Sequence, residues 1–213
     1  MFEYQDRRAR SGAVVLAVVL SFSCWTTADA QERMPPIPPE KMTDTQKKAA
    51  TDHAAARGAL TGPWAVLLRS PELVNRLRPV SDYLRFNSVL PPRLSEFVIL
   101  ITARQWTQQY EWNAHHTLAM KGGLKPDIAK AVSEGRRPQH MAEDEEIAYD
   151  LSMELLTNHS ISDATYARAL SKFGEQGIVD MVSLSGWYTL VAMVLNTART
   201  PLPAGATPGI APF

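Results

Sequence analysis

Apolar residues recur at helical spacing along most of the chain, and polar residues fill the positions between them. The clearest example follows two adjacent prolines, where apolar residues stand at i, i+3, i+4 and i+7: Leu94, Phe97, Val98 and Ile101. Residues 142–157 also carry apolar side chains four residues apart. No segment alternates apolar and polar residues over a useful length, as a half-buried strand would. The sequence therefore predicts an all-α fold.

Residues that cap or break helices mark the ends of the predicted segments. Thr43 and Gln46 form a capping box. A proline in the first turn opens the helices that follow Ser70 and Lys125, and two adjacent glycines end the helix before Lys125. Together these signals predict helices over residues 46–57, 71–86, 108–121, 126–134 and 142–157, one that begins at Pro92, one capped by Ser162, and a last one over 177–199.

The first thirty residues contain the three parts of a secretory signal peptide. Three arginines between positions 7 and 10 precede an apolar run over residues 12–20, and Ala28-Asp29-Ala30 matches a cleavage site. A retained membrane anchor is the alternative, although the apolar run is shorter than the roughly 20 residues that cross a bilayer. We therefore expect residues 1–30 to direct export, and the protein to be periplasmic or secreted. Membrane contact is expected only through this signal segment.

Both ends of the mature chain are predicted to lie outside the helical domain. Four prolines between positions 35 and 39 exclude helix and central strand, so residues 31–42 are predicted to be an extended linker. Residues 201–213 are rich in Pro, Gly and Ala and are predicted to be a flexible tail. The helical domain then spans residues 43–200. Its last helix is apolar on most faces but contains polar residues, which favours a buried central helix or an oligomer interface over a membrane span.

Charge and cysteine content exclude several classes of protein. The chain has 22 Lys and Arg against 22 Asp and Glu, so it lacks the basic excess of a nucleic-acid binder. Its single cysteine, Cys24, lies in the predicted signal peptide. The mature domain is therefore not expected to contain a disulfide framework, a Cys-x-x-Cys redox pair or a thiolate-rich zinc site. No phosphate-binding loop or dinucleotide fingerprint occurs, and no cofactor is expected.

Two consecutive helices carry the residues with the clearest chemical potential. Glu111 and His115 stand at i and i+4 and share a helix face, which Gln108 joins. Glu96 lies on the preceding helix and reaches the same point if the two helices form a hairpin. A carboxylate orients an imidazole and raises its pKa, so the pair suits proton transfer near neutral pH. Glu96, Glu111 and His115 are therefore the predicted catalytic residues.

Neighbouring side chains are candidates for binding a substrate. Gln108, Trp112 and His116 are predicted to line the pocket, with Trp112 as part of an apolar wall. Arg93 or Arg104 could hold a substrate carboxylate through a bidentate contact. Either arginine could equally be a surface charge.

Simpler interpretations of the same residues stay open. A Glu–His pair at i, i+4 is often a surface ion pair worth a few tenths of a kcal/mol, and His116 could be a structural histidine. A metal site built from Glu111, His115 and His116 is disfavoured because adjacent histidines on a helix point about 100° apart, so no metal is expected. The other histidines are expected at the surface: His53, His140 and His159.

Three segments carry a resemblance to a known family. They are Leu90 to Glu96 (LPPRLSE), Gln109 to His115 (QYEWNAH) and Gly123-Leu124 with the helix after it. In combination they resemble the carboxymuconolactone decarboxylase family, which includes the alkylhydroperoxidase D-like proteins. The resemblance covers residues 59–199. It implies an all-helical bundle with the alkylhydroperoxidase D-like fold, assembled as a homo-oligomer, either a trimer or a hexamer.

The same resemblance carries expectations about activity. Peroxidase-type members pair a Glu and a His, which match Glu96 and His115, with a Cys-x-x-Cys motif. The two cysteine positions hold Gln108 and Glu111 here, so no thiol peroxidase activity is expected. The resemblance then implies a cofactor-free lyase of the decarboxylase type, which uses Glu and His acid–base chemistry on a small organic acid or lactone. The alternative is a non-enzymatic binding or assembly module that keeps the fold.

Overall fold

The computed structural model describes residues 31–211 of the 213-residue chain. The predicted signal peptide lies outside the described residues. The described part contains no β-strand, so the predicted all-α class is confirmed. After a short 3-10 turn at Pro39–Lys41, its helices are α1 (Asp44–Arg57), α2 (Pro63–Leu67), α3 (Pro71–Phe86), α4 (Pro92–Gln105), α5 (Gln109–Lys121), α6 (Pro126–Ser133), α7 (Glu143–Asn158) and α8 (Asp163–Ala198).

Local signals in the sequence account for most helix ends. The Thr43 hydroxyl accepts a hydrogen bond from the backbone N–H of Gln46 (3.3 Å), and the Gln46 side chain accepts one from the backbone N–H of Thr43 (3.0 Å). This capping box starts α1 as predicted. Helix α2 was not predicted, because five residues are too few to show a helical repeat of apolar positions.

Both helices predicted after Ser162 are present, and α8 spans the two of them across a kink. Its halves meet at Gly174, which has φ 66° and ψ 177°. Glycine adopts this positive φ without a steric penalty, so the chain bends there and continues as a helix. By length and hydropathy α8 could cross a membrane, but 56% of its most apolar 18-residue stretch is buried inside the bundle. That burial is typical of the core helix of a folded domain.

Helix α4 lies at the centre of the bundle. Every residue from Leu94 to Arg104 is buried, and α4 packs against α5, α7 and α8. Val98 belongs to an apolar cluster shared with α8, and Phe97 belongs to a second cluster shared with α5, α6 and α7. A helix surrounded by packed side chains has little freedom to move, so it holds Glu96 in a fixed position.

The C-terminal segment is bound to the bundle, in contrast to the flexible tail predicted over residues 201–213. Ile210 is only 4% exposed. The Gln109 side chain accepts hydrogen bonds from the backbone N–H groups of Gly209 and Ile210 (3.0 Å each) and donates one to the carbonyl of Ile210 (2.9 Å). Proline and glycine prevent regular structure here, but backbone groups of an irregular segment can still be bound by side chains.

The segment predicted as a linker, residues 31–42, is largely extended. It also contacts the domain. The backbone N–H of Arg33 donates to the carbonyl of Ala198 (2.7 Å), and Arg69 donates to the carbonyl of Pro35 (2.7 Å). The prolines therefore lie along the surface of the bundle.

Candidate active site

A three-residue loop between α4 and α5 brings the predicted catalytic residues together. Thr107 in this loop has φ 48°, and Gln108 caps α5 by accepting a hydrogen bond from the backbone N–H of Tyr110 (2.7 Å). The chain reverses here, and α5 packs along α4. As a result Glu96, in the first half of α4, faces His115 in the middle of α5.

The imidazole of His115 lies between two carboxylates. Its Nδ1 is 2.6 Å from Oε2 of Glu96, and its Nε2 is 3.4 Å from Oε2 of Glu111. All three residues are buried, with exposed fractions of 4%, 8% and 4% for His115, Glu96 and Glu111. An ionised carboxylate only accepts hydrogen bonds, so the Nδ1–H group donates to Glu96. This arrangement favours the doubly protonated imidazole.

The pKa of His115 results from opposing effects. Burial, the largest effect, lowers the pKa of His115 because a charge is costly away from water. Hydrogen bonds and negative charge from Glu111 and Glu96 act in the opposite direction, and the net result is a pKa raised above the ordinary value of 6.5. His115 therefore keeps its proton to higher pH than a free histidine, which is a useful property for a proton donor.

A cavity of about 190 Å³ opens beside the imidazole. His115 and Glu111 line it, together with aromatic side chains of other helices, among them Trp64 and Tyr188. The ring of Tyr188 meets the His115 ring edge-on, with centroids 4.9 Å apart. Glu96 does not line the cavity and lies behind the imidazole. The two acids therefore differ in position, and only Glu111 can contact a molecule in the cavity.

The three residues predicted to bind substrate do not line this cavity. The Gln108 side chain donates to Oδ1 of Asn196 (2.7 Å) and is engaged in joining α5 to α8. Trp112 and His116 stack on each other, with ring centroids 5.9 Å apart, in a separate groove that Gly209 also lines. Trp112 follows Glu111 by one position, and His116 follows His115. Because one step along a helix turns a side chain by about 100°, Trp112 and His116 point away from the cavity. In the described residues no cluster of His, Cys, Asp and Glu suits a metal ion.

The two arginines considered for a substrate carboxylate bind within the protein instead. Arg93 forms ion pairs with Asp144 (2.6 Å) and Glu145 and ties α4 to α7. Arg104 donates to the carbonyl of Ala211 (2.6 Å) and helps to hold the C-terminal segment. Neither lines the cavity beside His115.

The prediction that His53 lies at the surface is wrong. Its side chain is 2% exposed and packs against Trp64, with ring centroids 4.9 Å apart. Burial, followed by the charges of Arg57 and Arg78, lowers the pKa of His53. This histidine therefore belongs to the packing behind the cavity wall.

Sequence reasoning missed the side chains that form the rest of the cavity. Arg57 ends α1, Arg85 lies near the end of α3, and Tyr188 is in the second half of α8. Burial, the largest effect, raises the pKa of Tyr188 well above 10.0, so the phenol stays neutral. No spacing rule connects residues so far apart in the chain.

Comparisons with known proteins agree on the fold. No protein-family model and no curated protein sequence matches the chain. Several solved structures are similar, including two peroxidase-related proteins. One, from Ralstonia eutropha JMP134, is described as an alkylhydroperoxidase AhpD core and an uncharacterized peroxidase-related protein. It has a TM-score of 0.66 at 15% identity over 81% of this chain and 93% of its own.

The second similar structure is an uncharacterized peroxidase-related protein from Silicibacter sp. TM1040. It has a TM-score of 0.64 at 15% identity and covers 80% of this chain and 90% of its own. Identities this low establish shared architecture without shared activity. The protein has the fold of the alkylhydroperoxidase AhpD core.

Proposed function

We propose that the protein is a cofactor-free acid–base enzyme of the carboxy-lyase type that acts on a small organic acid or lactone. The observation that carries the proposal is the position of His115 between two buried carboxylates, at the wall of a cavity. An imidazole with a raised pKa beside a cavity is suited to deliver a proton to a bound molecule.

The proposed reaction is a decarboxylation followed by protonation of carbon. The bond between the substrate and its carboxylate breaks, CO2 leaves, and the electron pair moves into a neighbouring carbonyl group to form an enolate. His115 then transfers its proton to the carbon, and solvent returns a proton to the imidazole. The product therefore has one C–H bond in place of one C–CO2 bond.

The two acids have separate tasks in this proposal. Glu96 lies behind the ring and accepts from Nδ1, so it is a positioning residue that fixes the orientation and charge of the imidazole. Glu111 lines the cavity beside Nε2. It can contact the substrate and guide the proton between Nε2 and the reacting carbon.

Thiol chemistry does not fit these residues. The two positions that correspond to a peroxidase cysteine pair hold Gln108 and Glu111. The Gln108 side chain is hydrogen-bonded to Asn196, and the Glu111 side chain faces His115. Neither side chain can be oxidised or reduced by a peroxide, so the proposal excludes a cysteine-based peroxidase reaction.

The experiment is a screen of small organic acids and lactones for CO2 release by the purified protein. Any active substrate is then tested with His115→Gln and Glu111→Gln, which should lower kcat by about 10²- to 10⁴-fold. His116→Gln is the matched control, because it removes the adjacent histidine of the same helix, which lies in a different groove. Equal turnover by His115→Gln and His116→Gln contradicts the proposal.

The alternative is a non-enzymatic binding or assembly module. Under that alternative Glu96→Gln and His115→Gln can be combined with no cost beyond stability. A ligand that raises the melting temperature without being converted, by the same amount in the double variant, would favour the module.

Export and assembly as a trimer or hexamer complete the proposal. Mass spectrometry of the protein recovered from the periplasm or medium should show a chain that begins at Gln31. Light scattering on the eluting peak of the mature protein should give three or six times the mass of one chain. A cytoplasmic or monomeric protein contradicts these two parts of the proposal without affecting the chemistry.

A further inference from the structure

Two arginines also line the cavity beside His115. Arg57 is the last residue of α1, and Arg85 lies in the last turn of α3. Both line the same cavity as Glu111 and His115. Positive groups from α1 and α3 thus share this cavity with the carboxylate and the imidazole of α5.

The two arginines differ in how their charge is balanced. The Nε of Arg57 donates to Oδ1 of Asp82 (2.5 Å), and its guanidinium lies over the rings of Trp64 and Phe86, 5.5 and 5.4 Å from the centroids. Arg85 lies over the Phe86 ring at 4.9 Å. Among residues 31–211 no carboxylate lies within ion-pair distance of Arg85, and its buried Nε has no hydrogen-bond partner.

The Nε–H group of Arg85 is a buried donor without a partner, which is costly unless a ligand satisfies it. The ligand that suits it best is an oxyanion, because a carboxylate can accept two parallel N–H groups from one arginine. Arg57 is already neutralised by Asp82, so Arg85 is the principal anchor and Arg57 a supporting charge.

The electrostatics at Tyr188 give an independent indication of this polarity. Apart from the dominant effect of burial, the charges of Arg85 and Arg57 lower the pKa of Tyr188, and those of Glu111 and Glu96 raise it. The Tyr188 phenol is therefore close enough to both the arginines and the glutamates for their charges to act on its pKa. A bound anion is attracted toward α1 and α3 and repelled from Glu111, which fixes its direction.

The remaining walls restrict shape and size. Trp64, Trp187 and Tyr110 line the cavity with aromatic surface, which favours a flat, apolar body. The cavity has a volume of about 190 Å³, which suits a small molecule.

We propose that this cavity binds a small, planar carboxylate, with the carboxylate at Arg85 and Arg57, the body between the aromatic walls and the opposite end at His115. This inference rests on the proposed function and makes it more specific. The carboxylate held by the arginines stays on the substrate, and the bond that breaks lies at the His115 end.

The test is a binding measurement that needs no turnover. Benzoate is titrated into the mature protein near pH 7, and quenching of the tryptophans in the wall reports binding. Benzamide, which has the same shape without the charge, is the ligand control. Arg85→Met should weaken benzoate binding by roughly 10- to 100-fold, and Arg85→Lys should weaken it less, because the charge remains and the planar fork is lost.

Arg76→Met is the matched protein control. Arg76 is on the same helix, but it is exposed and paired with Glu72, so its loss should leave benzoate binding unchanged. Circular dichroism checks that each variant keeps its helices. Benzoate binding that is absent in the wild type, matched by benzamide, or unchanged in Arg85→Met overturns the carboxylate site. Turnover by His115→Gln is measured separately. The carboxylate site and the proposed function can therefore be contradicted independently of each other.

Discussion

Nδ1 of His115 and Oε2 of Glu96 are 2.6 Å apart, and this contact joins the two helices on either side of a tight loop. Glu96 is on the most buried helix of the bundle, whereas His115 opens onto a cavity. The rigid core thereby sets the orientation of a group that contacts solvent or ligand.

Glu96→Gln should reduce turnover mainly through the imidazole. The substitution keeps the size of the side chain and removes its charge, so the pKa of His115 should fall and kcat should drop by about tenfold or more. KM should change little, because Glu96 does not line the cavity. The measurements are kcat and KM as functions of pH, together with an NMR titration of His115.

A matched control for this variant is Glu145→Gln. Glu145 is also a buried glutamate, but it pairs with Arg93 between α4 and α7. The Glu145→Gln variant should be less stable than the wild type, but its kcat should depend on pH in the same way. An identical pH profile in the Glu96 variant and the wild type would show that Glu96 is merely structural.

Stability should depend on pH through His115. Because its folded-state pKa lies above the ordinary 6.5, the folded protein holds this proton more tightly than the unfolded chain does. The resulting stabilisation is fully present below pH 6.5 and is lost as pH rises through the folded-state pKa. In urea unfolding over this range, the free energy of unfolding of the wild type should fall as pH rises. This fall should be absent in His115→Gln. His116→Gln should keep the wild-type slope.

The C-terminal segment should detach when Gly209 gains a side chain. A Cβ at this position would lie 2.5 Å from Cδ1 of Trp112, which is closer than real Cβ atoms approach, so the indole or the C-terminal segment must shift. Gly209→Ala should therefore expose Ile210 and speed the removal of the C-terminal residues by carboxypeptidase, followed by mass spectrometry. Gly186→Ala is the control, since a Cβ there meets no atom within 4 Å. Equal digestion rates would contradict the packed position of the segment.

Asp180→Ala should destabilise the contact between α8 and the loop after α3. The buried carboxylate of Asp180 accepts hydrogen bonds from the Tyr83 hydroxyl (3.0 Å) and the backbone N–H of Val89 (3.0 Å). Its loss removes two hydrogen bonds to a charged acceptor and should cost about 1–3 kcal/mol in urea unfolding. Tyr83→Phe removes only one of the two donors and should cost less. A larger cost for Tyr83→Phe would mean that the hydroxyl has another role.

Local patterns were sufficient to predict most helices. The capping box at Thr43 and the apolar repeat after Pro91 depend on neighbours a few residues away, so the sequence shows them directly. Helix α2 was missed because it is too short for a repeat. The two helices predicted after Ser162 correspond to the two parts of α8, which are separated by the non-helical backbone of Gly174.

The pairing of Glu111 with His115 follows from spacing alone, since residues four apart on a helix are neighbours. The position of Glu96 beside this pair depends on the loop between α4 and α5 and on the packing of these two helices, which helical spacing does not predict. Gln108 was assigned to the site by the same spacing, but its position at the helix cap turns its side chain toward Asn196. Helical spacing predicts on which face of the helix a residue lies, but it does not predict which residue its side chain binds.

The sequence by itself thus determined the class of fold, most helix positions and the pairing of an acid with an imidazole within one helix. Only the tertiary structure decided which side chains share a cavity with that imidazole. Arg57, Arg85 and Tyr188 come from three helices far apart in the chain, and their convergence results from the packing of whole helices around α4. Such long-range packing depends on the sum of many weak contacts, which no short stretch of sequence contains.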